Sequence, residues 1–261
     1  MLDDQALSTD NPRARNGAEA LARGVIPILA GRARRRTDRI VAGRLLVAAA
    51  SPDPRAIGRT ASDLLAEGVT ASAILDHAIP AAARALGEDW CRDRSSFAAV
   101  TVGCMRLQSL IRPLEKPRPD FGGPNAPSAI VVLRKGRQHA LGAAVAASQL
   151  RRAGVGTVAA LGRPDIETLE LVRHGRFGMI ALSLPCGTDL ESETRFIRSL
   201  RAAAPGASIV AGGSAVEGGE AAALATLGVD HAGTNIVEAA RRCGLISAEP
   251  IPLPLPKGWM R

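Results

Sequence analysis

The apolar positions of this chain change their period once. Before residue 113 they recur every three or four residues. Ile57, Ala61, Leu64 and Leu65 do so within Arg55–Glu67, as do Phe97, Val100, Thr101, Cys104, Leu107, Leu110 and Ile111 after Ser95 and Ser96. That spacing lays a stripe along a helix. Gly68 ends the first of these helices, and Thr70 caps another through Ala71–Leu86, with Pro80 as a kink or break inside it. Arg39–Ala50 adds a fourth. Residues 39–112 are therefore predicted to form a small helical bundle, with Phe97, Val100, Leu107 and Leu110 in its core.

After residue 127 the apolar runs shorten and lose the helical period. Ser128–Leu133, Gly156–Leu161, Met179–Leu184 and Ser208–Ala211 are bounded by Gly, Pro or Ser, and a fifth short strand lies near Asp230–Gly233. Helical stretches alternate with them at His139–Ala153, Asp165–His174, Asp189–Ala204, Glu217–Leu227 and Asn235–Cys243. Strands apolar on both faces, each followed by a helix, predict an α/β domain over residues 128–246. It has a parallel sheet of order 2-1-3-4-5 covered on both sides. Such sheets take ligands beyond the carboxyl ends of their strands, so that edge is where a site is expected. Prolines and glycines crowd residues 113–127, which read as a linker, and the Pro-rich residues 247–261 read as an extended tail.

Charge changes the picture at the amino end. Residues 1–44 carry nine arginines against five acids, and the stretch Arg32–Arg36 with Arg39 and Arg44 could touch DNA phosphates or an acidic partner. A solvated basic face is the simpler reading, and no helix-turn-helix signature accompanies it. Residues 1–38 lack a sustained apolar period and are expected to form a loosely packed basic arm. With no Tyr and six Phe and Trp residues in all, a single-strand nucleic-acid platform of interleaved aromatics is excluded. No apolar run approaches the ~20 residues of a membrane span, and the acidic, polar start is unlike a signal peptide, so a cytoplasmic protein is expected. Cys91, Cys104, Cys186 and Cys243 are far apart with no CxxC pair, neither a disulfide framework nor a zinc site.

Three signals fall at the predicted carboxyl edge. After the first strand comes His139-Ala140-Leu141-Gly142, an H-x-x-G arrangement opening a helix. Neutral imidazole ligates transition metals, and a glycine admits a bulky planar group close to the backbone. Alone, this tetrapeptide reads as a solvated histidine in a first turn. The third strand ends in Ser183-Leu184-Pro185-Cys186, and the fourth in Gly212-Gly213. Each alone is ordinary loop chemistry; histidine, serine and paired glycine at strand ends one, three and four are less easily accidental. His77, His174 and His231 read as isolated surface or loop residues, and Cys186 as a packed small residue.

At these residues the chain resembles the cobalamin-binding module of the methionine synthase type, a helical cap on a flavodoxin-like domain carrying D-x-H-x-x-G, S-x-L and GG. His139–Gly142, Ser183-Leu184-Pro185 and Gly212-Gly213 stand at those motifs, and the resemblance spans about residues 40–245. It implies cobalamin as cofactor, with His139 on cobalt, Gly142 beside it, and the displaced nucleotide tail near Ser183, Gly212 and Gly213. The motif's acid is Arg137 here. An arginine cannot orient the imidazole as a carboxylate does, and it disfavours the imidazolium.

The cap carries a second resemblance. Trp90 and the stretch Val100–Gln108 look like the cap of the cobalamin-binding antirepressors of photosynthesis genes in purple bacteria. Related cobalamin photoreceptor-repressors follow the Trp with nine residues and then Glu-His, the pair over the upper axial group. Val100 and Thr101 stand there in this chain, so a more open upper face is implied. Trp90 reads equally as a helix-end core residue. The resemblance implies a non-enzymatic transcriptional regulator that binds a repressor protein and responds to light or redox state. A corrinoid methyl carrier is the alternative, and haem in the same cavity a third reading.

Overall fold

The computed structural model describes residues 38–115, 126–136, 140–218, 224 and 227–246. The basic arm before Asp38, the Pro-rich tail, His139 with Arg137 and Gln138, and most of the helix expected at Glu217–Leu227 lie outside the described residues.

The bundle begins with α1, residues 38–50, which buries Val41, Ala42, Leu45, Ala48 and Ala49 at helical spacing. Helix α2 (Ala56–Ala66) buries Ile57, Ala61 and Leu64 and stops at Gly68, whose φ of +87° suits glycine. Thr70 accepts from the Ala73 N–H and opens α3 (Ala71–Ala73). The chain then widens into a π turn over Ile74–Ala78 and continues as α4 (Ile79–Cys91). Pro80 thus neither breaks nor ends the helix. It has no N–H to donate, and the turn before it closes instead through the Ile79 N–H on the Ile74 carbonyl. Ser96 caps α5 (Phe97–Ser109), and α6 (Ile111–Leu114) follows with Pro113 inside it. Helices α4 and α5 approach closely where Gly103 meets Leu86: a Cβ on Gly103 would stand 2.8 Å from Leu86 Cδ1.

The second part is a five-stranded parallel sheet of order β2-β1-β3-β4-β5, formed by β1 (Ser128–Arg134), β2 (Gly156–Arg163), β3 (Met179–Ser183), β4 (Ser208–Gly212) and β5 (His231–Ala232). Helices α7 (Ala140–Arg152), α8 (Asp165–Gly175), α9 (Leu190–Ala203), α10 (Ser214–Glu217) and α11 (Ile236–Arg242) connect or follow them. Ala129, Val131, Leu133, Met179, Ala181 and Val210 pack with α7 and α11, while Ile130, Val132, Ile180, Leu182 and Ile209 pack on the opposite face with residues of α8 and α9. The sheet is not covered on both sides throughout. β2 is an edge strand with Gly156, Val158, Ala159, Gly162 and Arg163 exposed, because nothing among the described residues packs beyond it.

Helix α7 belongs to both parts. Its Leu141 and Val145 join the bundle's core, while Ala143, Ala147 and Leu150 join the sheet's. At its far end Arg152 pairs with Asp76 of the π turn, Nη1 to Oδ2 at 2.9 Å, and Gln149 donates to the same carboxylate at 3.1 Å. Arg151 grips Glu115 through Nε to Oε2 at 3.1 Å and Nη2 to Oε1 at 2.5 Å. No helix among the described residues is long and apolar enough to cross a membrane.

Candidate functional site

The carboxyl ends of β1, β3 and β4 line up at one edge, and the chain reverses direction across the sheet there, with β1 leading outward to β2 and β3 lying on its other side. This is the crevice where open parallel sheets accept ligands. Ser183 and Gly212 are register partners at this edge. Both lie on the face toward α7 and α11, because they alternate with Leu182 and Ala211, which pack on the other face. Ser183 is half-buried, and its hydroxyl has no hydrogen-bond partner among the described residues.

Gly213 answers a constraint of the protein itself. Its φ is +101°, and a Cβ there would stand 2.6 Å from the Leu184 carbonyl oxygen and 3.0 Å from its nitrogen. The loops after β3 and β4 interlock at this point: the Leu184 N–H donates to the Gly212 oxygen at 2.8 Å, and the Ala215 N–H to the Leu184 oxygen at 3.1 Å. Cys186 is exposed rather than packed. Its N–H donates to Ser214 Oγ at 3.0 Å and its thiol to the Ser214 carbonyl at 2.8 Å, a further link between the two loops. Gly142 differs from these. It is exposed in the first turn of α7, and a Cβ added there would meet nothing within 4 Å. His139, three residues earlier, lies outside the described residues.

A residue that the sequence patterns did not single out supports the base of the site. Arg134 ends β1, its side chain only 18% exposed. It donates to Asp165 at 3.0 and 2.5 Å, to Ser192 Oγ at 3.1 Å and to Glu193 Oε1 at 3.0 Å, and its guanidinium lies 4.7 Å from the centre of the Phe196 ring. The Asp165 hydrogen bonds, with the charge of Glu193, hold it even more firmly protonated than a free arginine. One planar cation so joins the end of β1 to α8 and α9, immediately before the loop that leads to His139. A basic residue closing an otherwise apolar strand was the available signal.

In the bundle, Trp90 and Phe97 are exposed rather than core. They meet edge to face with centroids 6.1 Å apart, at the junction of α4 and α5. The turn between the helices carries both rings outward, and the core is filled by Leu86, Leu107, Leu110 and Ile111 instead. Val100 is half-buried against that core, whereas Thr101 is exposed and donates to the Phe97 carbonyl at 2.8 Å. Phe97, Thr101, Val102 and Met105 thus form one outward face of α5, largely apolar and adjoining Trp90. His77 and His174 are exposed, and His231 stands half-buried in β5.

Comparison with known proteins gives three findings. Residues 127–241 match the family model of the B12 binding domain. A Rhodobacter capsulatus protein, described as an uncharacterized 20.5 kDa protein in the bchF-crtJ intergenic region, is 33% identical over 157 residues, which are 59% of this chain and 81% of the relative. Among solved structures, the Methanosarcina barkeri monomethylamine corrinoid protein shares the fold with a TM-score of 0.60 at 16% identity, over 80% of this chain and 98% of that one. A cobalamin-binding protein from Desulfitobacterium hafniense DCB-2 also aligns, at 16% identity over 78% of this chain and 97% of that one, with a TM-score of 0.39.

Proposed function

This chain belongs to the B12-binding domain family, and from that premise we propose that it is a cobalamin-binding transcriptional regulator, an antirepressor rather than an enzyme or a methyl carrier. Cobalamin is the cofactor that the family model and the corrinoid-binding fold support. The observation that carries the regulatory reading is the double membership of α7: it starts immediately after His139, and its side chains pack into the cores of both cap and sheet. A change at its amino end is felt by both. The relative in the bchF-crtJ intergenic region supports the same reading.

The residues present fit the cofactor. A half-buried hydroxyl at Ser183, without a hydrogen-bond partner among the described residues, stands beside the bare backbone of Gly212, with open space over Gly142. In this reading His139 would hold the cobalt; Gly142, Ser183, Gly212 and Gly213 would line the sheet side, and Trp90, Val100 and Thr101 the cap side. When bound, cobalamin would supply a cobalt ion able to take and exchange a nitrogen ligand. The chain supplies the rest. Arg134 steadies the base of the loop that leads to His139. The cap, tied through Asp76 and Glu115, takes up the resulting position. The partner is a repressor protein, met in the cytoplasm, with the Arg-rich arm adding non-specific contact to DNA phosphates.

The test begins with absorption spectra of the protein after separate incubation with hydroxocobalamin, adenosylcobalamin and haem. His139→Ala should abolish the ligation-dependent shift of the cobalamin spectrum. Repressor binding is then measured with and without cobalamin. Methylation of the bound corrinoid at carrier rates, with no cobalamin-dependent binding of any transcription factor, would establish the carrier instead. A haem spectrum alone would establish the haem sensor.

A further inference from the structure

The two edges of the sheet are finished differently. β5 has two residues, too few to template another strand. β2 has eight, Gly156–Arg163, and between Gly156 and Gly162 it carries no charged residue and no proline. Natural edge strands are usually blunted by such residues, or covered. The Gly156 N–H points inward, donating to the Pro127 carbonyl at 2.8 Å. Backbone groups alternate along a strand, so Thr157, Ala159 and Leu161 direct theirs outward, where no backbone group among the described residues receives them.

The flank of this edge is also open. Val158 is 41% exposed and lines a cleft of about 510 Å3 with Leu171, Phe177, Glu167, Glu170 and His174. The exposed charged residues of α8 are ordered by sign along its length: Glu167, which also meets Arg163 Nη1 at 3.5 Å, and Glu170 come first, then Arg173, with Arg176 just beyond its end. Such a helix is complementary to itself when two copies lie antiparallel, acids of one against bases of the other.

We propose that β2 is a self-association surface: a second copy of this chain pairs with it antiparallel across a two-fold axis perpendicular to the sheet. The pairing joins the two sheets, satisfies the outward groups of Thr157, Ala159 and Leu161 in both copies, and sets α8 against its counterpart over Val158. The small residues exposed along it, Gly156, Ala159 and Gly162, permit the close approach.

The experiment is sedimentation velocity on the full chain from low to high micromolar concentration, without cofactor. A species of twice the 27.0 kDa chain mass is expected to grow with concentration. Ala159→Pro removes an outward N–H that no backbone group among the described residues receives, so it should weaken association by about tenfold or more without unfolding the protein. Two further variants use charge. Glu167→Arg with Glu170→Arg, and Arg173→Glu with Arg176→Glu, should each remain monomeric alone and form a mixed dimer when combined. A chain that stays at 27.0 kDa throughout overturns the proposal. So does a dimer indifferent to Ala159→Pro, or a charge pair that fails to associate on mixing. Slow exchange of the Thr157, Ala159 and Leu161 amides in a monomer would also overturn it, since another segment would then hold the edge.

Discussion

Ser183 on β3 and Gly212 on β4 are register partners at the carboxyl edge of the sheet, a hydroxyl without a hydrogen-bond partner among the described residues beside a backbone without a side chain. Removing the hydroxyl should therefore act on ligand rather than on fold. Ser183→Ala is expected to leave thermal stability almost unchanged and to weaken cobalamin binding by about 0.5–1.5 kcal/mol. Titration followed by absorption, beside a melting curve of the ligand-free protein, separates the two.

The site glycines should divide in the same pair of measurements. Gly213→Ala places a Cβ against the Leu184 backbone at a positive φ, so it should destabilise the ligand-free protein by about 1–3 kcal/mol. Gly142→Ala meets open space within a helix, and should raise ligand-free stability by about 0.5–1 kcal/mol. Gly142→Leu should lower cobalamin affinity sharply while the protein still folds. Equal affinity for cobalamin in the Gly142→Leu variant would remove Gly142 from the binding surface.

The attachment of cap to sheet carries a pH dependence. Burial favours the neutral acid at Glu115, but hydrogen bonds from Arg151 and Ser148, with the charges of Arg151 and Arg112, outweigh it and hold the carboxyl below its usual range. A carboxylate depressed on folding contributes stability that is fully present above its unfolded pKa. That stability is lost as the pH falls through its lower folded value. Glu115→Gln should accordingly cost stability at pH 7 and cost less as the solution is acidified below the ordinary carboxylate range. Melting temperatures of both proteins across that range check the sign.

Asp76 tests whether the cap transmits. It receives Arg152 and Gln149 from α7 in a partly buried setting, and Asp76→Ala removes the carboxylate that both of them meet. A loss of about 1–3 kcal/mol in stability is expected. Under the regulatory reading, cobalamin should still bind while its effect on repressor affinity diminishes. Cobalamin-dependent repressor binding that survives intact in this variant would show that the cap attachment is not the route.

Local pattern determined the architecture. The change of apolar period between residues 112 and 128, and the five short runs that follow, are sufficient for a helical bundle and a parallel sheet, because a segment's own periodicity states which of its faces must be buried. The Thr70 cap, the helix start near Ser96 and the stop at Gly68 were legible for the same reason, being interactions within a few residues. The H-x-x-G, serine and GG positions could be read as a set because strand ends in such a sheet share one edge.

Periodicity names a face but not its neighbour, and the neighbour was settled only in three dimensions. Phe97 lies on a helical stripe yet points outward beside Trp90, since the turn between α4 and α5 gives the core to Leu86 and Leu107. The run at β2 is as apolar as its neighbours, but its place at the sheet's edge depends on strand order and leaves Val158 exposed. Gly213 is required by the Leu184 backbone, and Arg134 by Asp165, Ser192 and Glu193, which lie 31 to 59 residues further along the chain. Such partners meet only when separate elements pack, and a local sequence window carries no term for contacts between elements.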